Sequence, residues 1–263
     1  MPNSLRVAWF AWRIGAKRRV GYNRDGRRLL LTDPIAVTNK TTNGYEPLPL
    51  VDYYDTFAQA LGCPGSGDRL TLFVTDTEAE HTTDRVRQMS KAQGLNPEAP
   101  IVVVCPGANF GASKCWHPDR FAKVCDYLVE QHGVRIAISP GPGEEALAQA
   151  IAHHMQHPAL LLEDPCLTLG ELKPLIRDSV LLLGNDTGPR HFARAFDTPR
   201  VTVFGPTFTR WTDTSHDKET IVRVDVPCGP CHEKVCPLVE RVCMDNVTVE
   251  MVQAACDKEL SQA

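Results

Sequence analysis

The stretch from residue 180 to residue 207 constrains the fold more than any other part of the chain. An apolar run, Val-Leu-Leu-Leu at 180–183, leads into a short polar turn, Gly-Asn-Asp-Thr-Gly at 184–188. A segment of helical character follows at 189–196, and a second apolar run follows at 200–204. This order of strand, turn, helix and strand predicts part of a parallel sheet, in which ligands bind at the carboxyl ends of the strands.

The turn has two interpretations. Asp186 or Thr187 suits the N-cap of the following helix, because a side-chain oxygen there accepts a hydrogen bond from an unpaired helix N–H group. The same N–H groups, together with the helix dipole, favour a bound anion near Gly188. Taken alone, the turn favours the capping role, and the ligand-binding role depends on what other loops lie beside it.

Strands and helices alternate regularly after residue 100. We predict strands at 101–104, 134–139, 159–162, 180–183 and 200–204, with an extended stretch at 220–226. We predict helices near 118–131 and at 144–154, 168–177, 189–196 and 248–260. This alternation predicts an α/β fold with a parallel sheet and helices on both of its faces.

The first 96 residues are less regular. We predict helices at 3–17, 53–61 and 78–93 and short strands at 18–22, 28–31 and 70–74. The Gly- and Pro-containing segment 94–100 reads as a linker and predicts a domain boundary near residue 97. The predicted domains are therefore an N-terminal lobe, 1–96, and a C-terminal lobe, 97–263. The last helix, 248–260, is a candidate for packing back on the N-terminal lobe.

Charge is distributed unevenly along the chain. The whole chain has 28 Lys and Arg against 32 Asp and Glu, a net charge of −4. Residues 1–50 hold nine basic and three acidic residues, a net charge of +6, so the remainder carries −10. A basic segment on an acidic body favours an anionic partner, although a solvated basic surface has the same composition. There is no secretory signal and no apolar run of the roughly 18 residues that span a bilayer, which predicts a cytoplasmic protein.

Two further loops that contain glycine follow predicted strands. The first, 105–118, contains Lys114, whose ammonium suits a phosphate, although a surface lysine is the alternative. The second, 139–145, ends in Glu144 and Glu145, either of which could accept a hydrogen bond from a ribose hydroxyl or face a helix dipole. Neither loop contains a Walker or a Gly-x-Gly-x-x-Gly motif. With the turn after residue 183, the three loops predict one crevice that suits a diphosphate.

These loops resemble those of the family-nine glycosyltransferases, the heptosyltransferases of lipopolysaccharide inner-core synthesis, with the pattern of the second heptosyltransferases. The resemblance is carried by Pro-Gly-Ala-Asn-Phe-Gly-Ala-Ser-Lys-Cys-Trp at 106–116, Gly-Pro-Gly-Glu-Glu at 141–145, Asp-Thr-Gly-Pro-Arg-His-Phe-Ala at 186–193 and Val-Phe-Gly-Pro-Thr at 203–207. It implies a GT-B fold of two Rossmann-like lobes. It also implies inverting transfer of heptose from ADP-heptose to the inner core, without a metal or another required cofactor.

The resemblance also implies roles for individual residues. The donor site would be lined by Lys114, Asp186, Thr187, Gly188 and His191, with Asn109 and Glu144 in second rank. Lys114 would neutralise the leaving diphosphate, and Thr187 with the N–H groups near Gly188 would bind phosphate. Asp186 and His191 would orient the sugar-phosphate side.

On the acceptor side, the basic residues Arg18, Arg19 and Arg24 fit an anionic lipopolysaccharide core. Such an acceptor implies a peripheral contact with the inner face of the inner membrane, and no nucleic-acid partner is implied. Full-length members begin with a strand and a glycine-rich loop, and a carboxylate near that start acts as general base. This chain is expected to begin after that region and to have an incomplete N-terminal lobe. The alternative function is therefore a non-catalytic remnant that binds a nucleotide sugar.

Four cysteines cluster near the end of the chain, at Cys228, Cys231, Cys236 and Cys243. They could form a tetrahedral zinc site, but the spacing is shorter than that of paired knuckles. Reduced structural thiols are the preferred interpretation, and zinc and disulfides remain as alternatives. Members of the resembling family often carry a cysteine-rich loop at this point.

Overall fold

The computed structural model describes residues 3–37, 39–41, 44–65 and 70–262. The chain divides into two compact units. The N-terminal unit consists of Met1–Arg69 and Arg210–Thr214, and the C-terminal unit consists of Leu70–Thr209 and Ser215–Ala263. The division therefore falls at residues 69 and 70 rather than near residue 97. None of the helices in the described part of the chain combines the length and apolarity that a membrane span requires.

The N-terminal unit is built from short elements. Its helices and strands are α1 (Leu5–Arg13), β1 (Val20–Tyr22), β2 (Asp33–Ile35), β3 (Lys40–Thr41), β4 (Gly44–Tyr45) and α2 (Leu50–Ala60). Strands β1 and β2 pair in parallel, and β3 and β4 pair antiparallel. The prediction of a strand at 28–31 is wrong, because Arg27–Leu30 forms a 3-10 helix. Arg27 is fully buried, and its Nε donates a hydrogen bond to the Tyr22 carbonyl at 2.9 Å.

The C-terminal unit is a six-stranded sheet covered by helices. Its first elements are α3 (Asp76–Ala92), β5 (Ile101–Cys105), α4 (Pro118–His132), β6 (Arg135–Ile138), α5 (Glu145–His154), β7 (Leu160–Leu161) and α6 (Leu169–Arg177). The others are β8 (Leu181–Asn185), α7 (Pro189–Phe196), β9 (Arg200–Val203), β10 (Glu219–Val222), α8 (Val242–Asp245) and α9 (Val249–Leu260). The strand order is β10-β9-β8-β5-β6-β7, and every pairing in the sheet is parallel. The predicted alternation of strands and helices after residue 100 is confirmed.

Both faces of this sheet are buried, as the apolar strands predict. One face packs against α4, α5 and α9, and its core includes Val104, Phe121 and Ile136. The other face packs against α3 and α6, and its core includes Val103 and Leu175. A parallel sheet covered by helices on both faces is the architecture of doubly wound α/β proteins.

Helix α3 explains why the division between the units falls before residue 97. Val86 is buried in the same core cluster as strand residues of the sheet. Arg85 forms an ion pair with Glu171 of α6, with Nη1 and Oε1 2.8 Å apart. Lys173 of α6 pairs with Glu78 of α3 at 2.8 Å. These contacts make α3 part of the C-terminal unit, although the 94–100 linker follows it in sequence.

Helix α9 also belongs to the C-terminal unit. Val252, Ala255 and Cys256 are buried in the core beneath the sheet. Tyr127 of α4 donates a hydrogen bond to Asp257 at 2.7 Å. The last helix therefore packs on the sheet that precedes it in sequence, because its apolar side matches that core.

Candidate functional site

The candidate site lies at the carboxyl edge of the parallel sheet, where β5 and β8 end side by side. Cys105 of β5 is in register with Gly184 of β8. From β5 the chain winds outwards through β6 and β7, and from β8 it winds the other way through β9 and β10. The strand order reverses between β5 and β8, which is where open α/β sheets bind ligands. The three loops predicted to converge follow β5, β6 and β8 at this edge.

Lys114 and Asp186, from the loops after β5 and β8, form a buried ion pair. Lys114 Nζ lies 2.5 Å from Asp186 Oδ2, and the two side chains are 11% and 4% exposed. Thr207 Oγ1 donates a hydrogen bond to the same carboxylate oxygen at 2.9 Å. The ammonium also lies 4.9 Å from the centroid of the Phe110 ring. Lys114 is therefore a buried cation at the switch point, not a solvated surface lysine.

Asn185 ties the two loops together and was missed by sequence reasoning. Its amide nitrogen donates to the Pro106 carbonyl, and its Oδ1 accepts a hydrogen bond from the Trp116 backbone N–H at 3.2 Å. One side chain at the end of β8 thus holds both ends of the segment that carries Lys114. An asparagine inside a motif gave no signal of this role, because its partners lie far away in sequence.

The alternative that Asp186 or Thr187 caps α7 does not match the structure. The N-cap position is Gly188, with φ of −51°, and the helix starts at Pro189. The Asp186 carboxylate points instead at Lys114 and Thr207. Thr187 is half-buried and Gly188 is exposed, so the amino end of the helix is accessible beside the ion pair.

The Glu144 carboxylate contacts the backbone of two of the loops, those after β5 and β6. Its Oε2 accepts a hydrogen bond from the Gly141 N–H at 2.9 Å. A Cβ placed on Gly107 would lie 1.7 Å from the same oxygen, so the carboxylate sits directly against the backbone of the first loop. Glu144 also occupies the N-cap position of α5, without a side-chain cap bond to that helix. Its carboxylate therefore faces the loops of the candidate site rather than the helix that follows it.

His191 follows the ion pair on the first turn of α7 and is half-buried. Burial lowers the pKa of its imidazole, and the positive charges of Arg190 and Arg200 lower that pKa further. The neutral ring is therefore the form that this environment favours. A neutral imidazole can donate one hydrogen bond and accept another without adding charge to the candidate site.

We expect an NMR titration to place the pKa of His191 below its usual value of about 6.5. Between the folded pKa and the usual value, the unfolded chain binds a proton at His191 that the folded chain does not bind. Stability from this group is therefore present above pH of about 6.5 and is lost as the pH falls through the folded pKa. The signal is assigned by its loss in His191→Asn, and a measured pKa at or above the usual value would contradict the burial argument.

The second-rank residue Asn109 lies in the loop after β5, between Ala108 and Phe110, and is exposed. Its position on the same loop as Lys114 keeps it beside the candidate site. No hydrogen bond fixes its side chain within the part of the chain that the structure describes.

The three basic residues predicted for the acceptor side have different environments in the N-terminal unit. Arg19 donates hydrogen bonds to the carbonyls of Leu30 and Ala16, at 2.7 and 2.5 Å, so it holds the backbone of this unit. Arg18 is an exposed residue with Asp33 at 3.5 Å. Arg24 lines a cavity of about 700 Å³. Its other lining residues include Tyr22, Asp52, Tyr53, Tyr54 and Trp211.

All four clustered cysteines carry free thiols. Cys228 and Cys231 are exposed, and Cys243 is buried, with a pKa that burial and the other three thiols raise. Among the described residues, no group of three or more His, Cys, Asp or Glu side chains is arranged to hold a metal ion. The loop that carries these cysteines contacts the loop that carries Lys114 through the backbone. The Ser113 N–H group donates a hydrogen bond to the Lys234 carbonyl at 3.2 Å.

The all-parallel sheet with a reversal of strand order, where the buried Lys–Asp pair lies, makes the C-terminal unit Rossmann-like. The model of glycosyltransferase family 9 (heptosyltransferase) matches residues 1–241. The chain therefore belongs to glycosyltransferase family 9.

Named relatives agree with this membership. The chain is 27% identical over 236 residues to lipooligosaccharide heptosyltransferase 2 of Haemophilus influenzae, covering 85% of this chain and 64% of that protein. It is 31% identical over 170 residues to lipooligosaccharide heptosyltransferase 2 of Campylobacter jejuni, covering 64% of this chain and 50% of that protein. The chain thus spans 64% or less of the length of these two relatives.

The structure of the ADP-heptose lipopolysaccharide heptosyltransferase II of Escherichia coli is similar to this one. It matches with a TM-score of 0.72 at 22% identity, over 99% of this chain and 75% of that chain. At this level of identity the match shows the fold, which is the α/β, GT-B type fold of family-nine glycosyltransferases.

Proposed function

We propose that this chain is a heptosyltransferase that transfers heptose from ADP-heptose, or a related nucleotide sugar, to the inner core of lipopolysaccharide. The observation that carries the proposal is the buried pair of Lys114 and Asp186 at the switch point of the sheet. Membership of family 9 supplies the reaction class. The relatives whose names state heptosyltransfer support the choice of sugar.

The diphosphate of the donor is proposed to bind between Lys114 and the amino end of α7. The ammonium is a compact cation suited to phosphate, and the helix end adds N–H groups and a favourable dipole near Gly188. Thr187 adds a hydroxyl at the same helix end. The Lys114 ammonium, already 2.5 Å from Asp186, would then be shared between a carboxylate and a phosphate.

The remaining residues are proposed to bind the two ends of the donor. Glu144, whose carboxylate lies over Gly107, would accept hydrogen bonds from the ribose, as acidic residues at strand ends do for dinucleotides. Asp186 and His191 would orient the sugar-phosphate side. Asn109 would contact the donor from the loop after β5.

We propose that transfer inverts the anomeric carbon and needs no metal. In the step, the acceptor hydroxyl gives its proton to a general base as its oxygen attacks the anomeric carbon, the bond to the diphosphate breaks, and ADP leaves with the electron pair. Lys114 and the α7 end would stabilise the charge that develops on the leaving diphosphate, since preorganised donors act strongly in a buried site. In this proposal the cysteine loop serves as a set of reduced structural thiols.

The acceptor is proposed to be anionic and to bind the N-terminal unit. Arg24 lines the cavity of that unit, and Arg18 lies exposed nearby in sequence. The net charge of +6 on residues 1–50 supports this choice. A lipid-linked core acceptor would bring the chain into peripheral contact with the inner face of the inner membrane.

A second candidate function is binding of the nucleotide sugar without transfer. Transfer requires a base that takes the proton of the acceptor hydroxyl. In the N-terminal unit, Asp25 contacts Arg24 at 3.1 Å. Asp33 contacts Arg18 at 3.5 Å and accepts a hydrogen bond from Thr32 at 2.6 Å. Both carboxylates have such partners, and neither is assigned as the base. Without an assigned base, binding without transfer is the second candidate.

Two measurements on the wild-type chain separate the candidates. Calorimetric titration with ADP-heptose tests donor binding, and an assay with a truncated lipopolysaccharide acceptor tests transfer. The proposed enzyme both binds and turns over. Binding without turnover supports the second candidate, and the absence of both would reject the donor-site assignment.

A further inference from the structure

Behind the Lys114–Asp186 pair lies a second set of buried charges, formed by Arg190 on α7, Arg200 on β9 and Glu219 on β10. Arg190 contacts Glu219 in a bidentate manner, with Nε 2.5 Å from Oε1 and Nη2 2.9 Å from Oε2. Arg200 Nη2 lies 2.5 Å from Glu219 Oε2. The side chains of Arg190, Arg200 and Glu219 are 2%, 0% and 5% exposed. We call these three residues the Arg–Glu–Arg group.

Arg190 connects this group to the candidate donor site. Its Nη1 lies 3.6 Å from Asp186 Oδ1, one helical turn earlier in the chain. Lys114 and Thr207 contact the other oxygen, Oδ2, at 2.5 and 2.9 Å. The two oxygens of Asp186 therefore face different cations, and Lys114 is the nearer of the two. The bidentate contact with Glu219 holds Arg190 at the longer distance.

Glu219 is ionised, so it can act as this restraint. Burial alone would raise its pKa, but hydrogen bonds from Arg190 and Arg200 outweigh burial and lower the pKa to about 2. Thr202 also donates a hydrogen bond to Glu219 Oε1 at 2.8 Å. Three positive and two negative side chains thus meet here. Without the charge of Glu219, Asp186 would be the carboxylate left to both Lys114 and Arg190.

We propose that Glu219 is a positioning residue of the donor site: by binding Arg190 it keeps Asp186 paired with Lys114. When Glu219 is neutral, Arg190 moves closer to Asp186 and shares its carboxylate, which weakens the pairing of Asp186 with Lys114. This inference deepens the proposed function and rests on it, because Lys114 and Asp186 are the groups through which the nucleotide sugar would be held. Its test uses the ligand-free chain and does not depend on donor binding.

The test measures the rate at which acetic anhydride acetylates Lys114, by competitive labelling and mass spectrometry near neutral to mildly alkaline pH. Lys123, whose side chain is 66% exposed, is the internal reference. We expect Glu219→Gln to raise the relative rate of Lys114 about five- to tenfold, because a weaker ion pair with Asp186 leaves the Lys114 nitrogen more available to the reagent. An unchanged rate would overturn the proposal.

Glu259→Gln is the matched control. Glu259 is a fully buried carboxylate that accepts a hydrogen bond from Thr220, the neighbour of Glu219 on β10, at 2.5 Å. Its replacement removes a buried charge next to the same strand but leaves Arg190 bound to Glu219. The Lys114 rate is expected to stay at the wild-type value, and an increase equal to that of Glu219→Gln would reject a specific role for Glu219.

The double variant Arg190→Gln with Glu219→Gln separates positioning from general loss of structure. With Arg190 neutral, this side chain no longer competes for Asp186. The Lys114 rate is expected to return to the wild-type value although more of the group has been removed. A rate that stays high would overturn the proposal.

The double variant also protects the test against misfolding. Glu219→Gln leaves two buried arginines without their carboxylate, which is strongly destabilising. If that variant does not fold, a rate in the double variant above that of the wild-type chain still overturns the proposal. Failure of the wild-type chain to bind ADP-heptose would reject the proposed function and leave the labelling result readable.

Discussion

Replacement of Lys114 by alanine is expected to weaken ADP binding by about 1.5–3 kcal/mol, or roughly ten- to a hundredfold. The ammonium is buried and lies 2.5 Å from Asp186, so it is already desolvated and positioned before a diphosphate arrives. Its loss removes a charge-assisted bond to phosphate and leaves Arg190, at the longer distance of 3.6 Å, as the cation beside the Asp186 carboxylate. Calorimetric titration of ADP into both proteins measures the difference.

Lys123→Ala is the control for this substitution. Lys123 is an exposed residue of α4 whose ammonium lies 3.8 Å from Asp119, on the same helix. The Lys123→Ala substitution removes the same charge from the C-terminal unit, at a site outside the crevice. ADP affinity equal to wild type is expected for Lys123→Ala, and equal affinity for Lys114→Ala would refute the role of Lys114 in phosphate binding.

Replacement of Gly184 by alanine is expected to destabilise the C-terminal unit by about 3 kcal/mol or more. Gly184 is buried in β8, and a Cβ there would lie 2.6 Å from the backbone carbonyl oxygen of Cys105 on β5. A main-chain oxygen in a central strand cannot turn aside as a side chain can. The methyl group must therefore push β5 and β8 apart at the edge that carries the site. Urea unfolding of the purified protein measures the loss.

Gly188→Ala is the matched substitution for this prediction. A Cβ on Gly188 would meet no atom within 4 Å, and its φ is −51°, which alanine adopts readily. Its free energy of unfolding is expected to differ from wild type by less than about 0.5 kcal/mol. If the two variants were equally stable, the close approach of β5 and β8 would not be the reason for the glycine.

The sheet of the C-terminal unit, and the edge of it at which the candidate site lies, can be predicted from local sequence. The apolar runs at 101–104, 180–183 and 200–204 are long enough and dense enough in Val and Leu to predict buried parallel strands. Glycine-containing turns after such strands predict loops at one edge of the sheet. The residues that these loops carry, Lys114 and Asp186, do meet in the structure.

The charges behind the site are not readable in this way. Glu219 opens β10 after a polar loop, and nothing in its surroundings distinguishes it from a solvated acidic residue. Its partners Arg190 and Arg200 precede it by 29 and 19 residues. Only the order in which β8, β9 and β10 lie side by side brings the three side chains together. The same holds for Asn185, whose partner Pro106 is 79 residues away.

The position of α3 was also decided by tertiary contacts. The pattern of 78–93 predicts an amphipathic helix correctly, and the structure has α3 at Asp76–Ala92. An amphipathic pattern states that one side of a helix is buried but not which sheet buries it. The ion pairs of Arg85 with Glu171 and of Lys173 with Glu78 place α3 beside α6. The linker at 94–100 therefore lies within one unit.

The turn at 184–188 shows where the two kinds of information divide. The sequence by itself determined that a polar turn follows a buried strand and precedes a helix, because periodicity and glycine content act locally. Whether Asp186 caps that helix or pairs with a side chain from another loop was decided only by the tertiary structure. Lys114 lies on a different loop, 72 residues earlier in the sequence, and binds the Asp186 carboxylate. A buried carboxylate needs a cation beside it, and local sequence cannot say which distant loop supplies that cation.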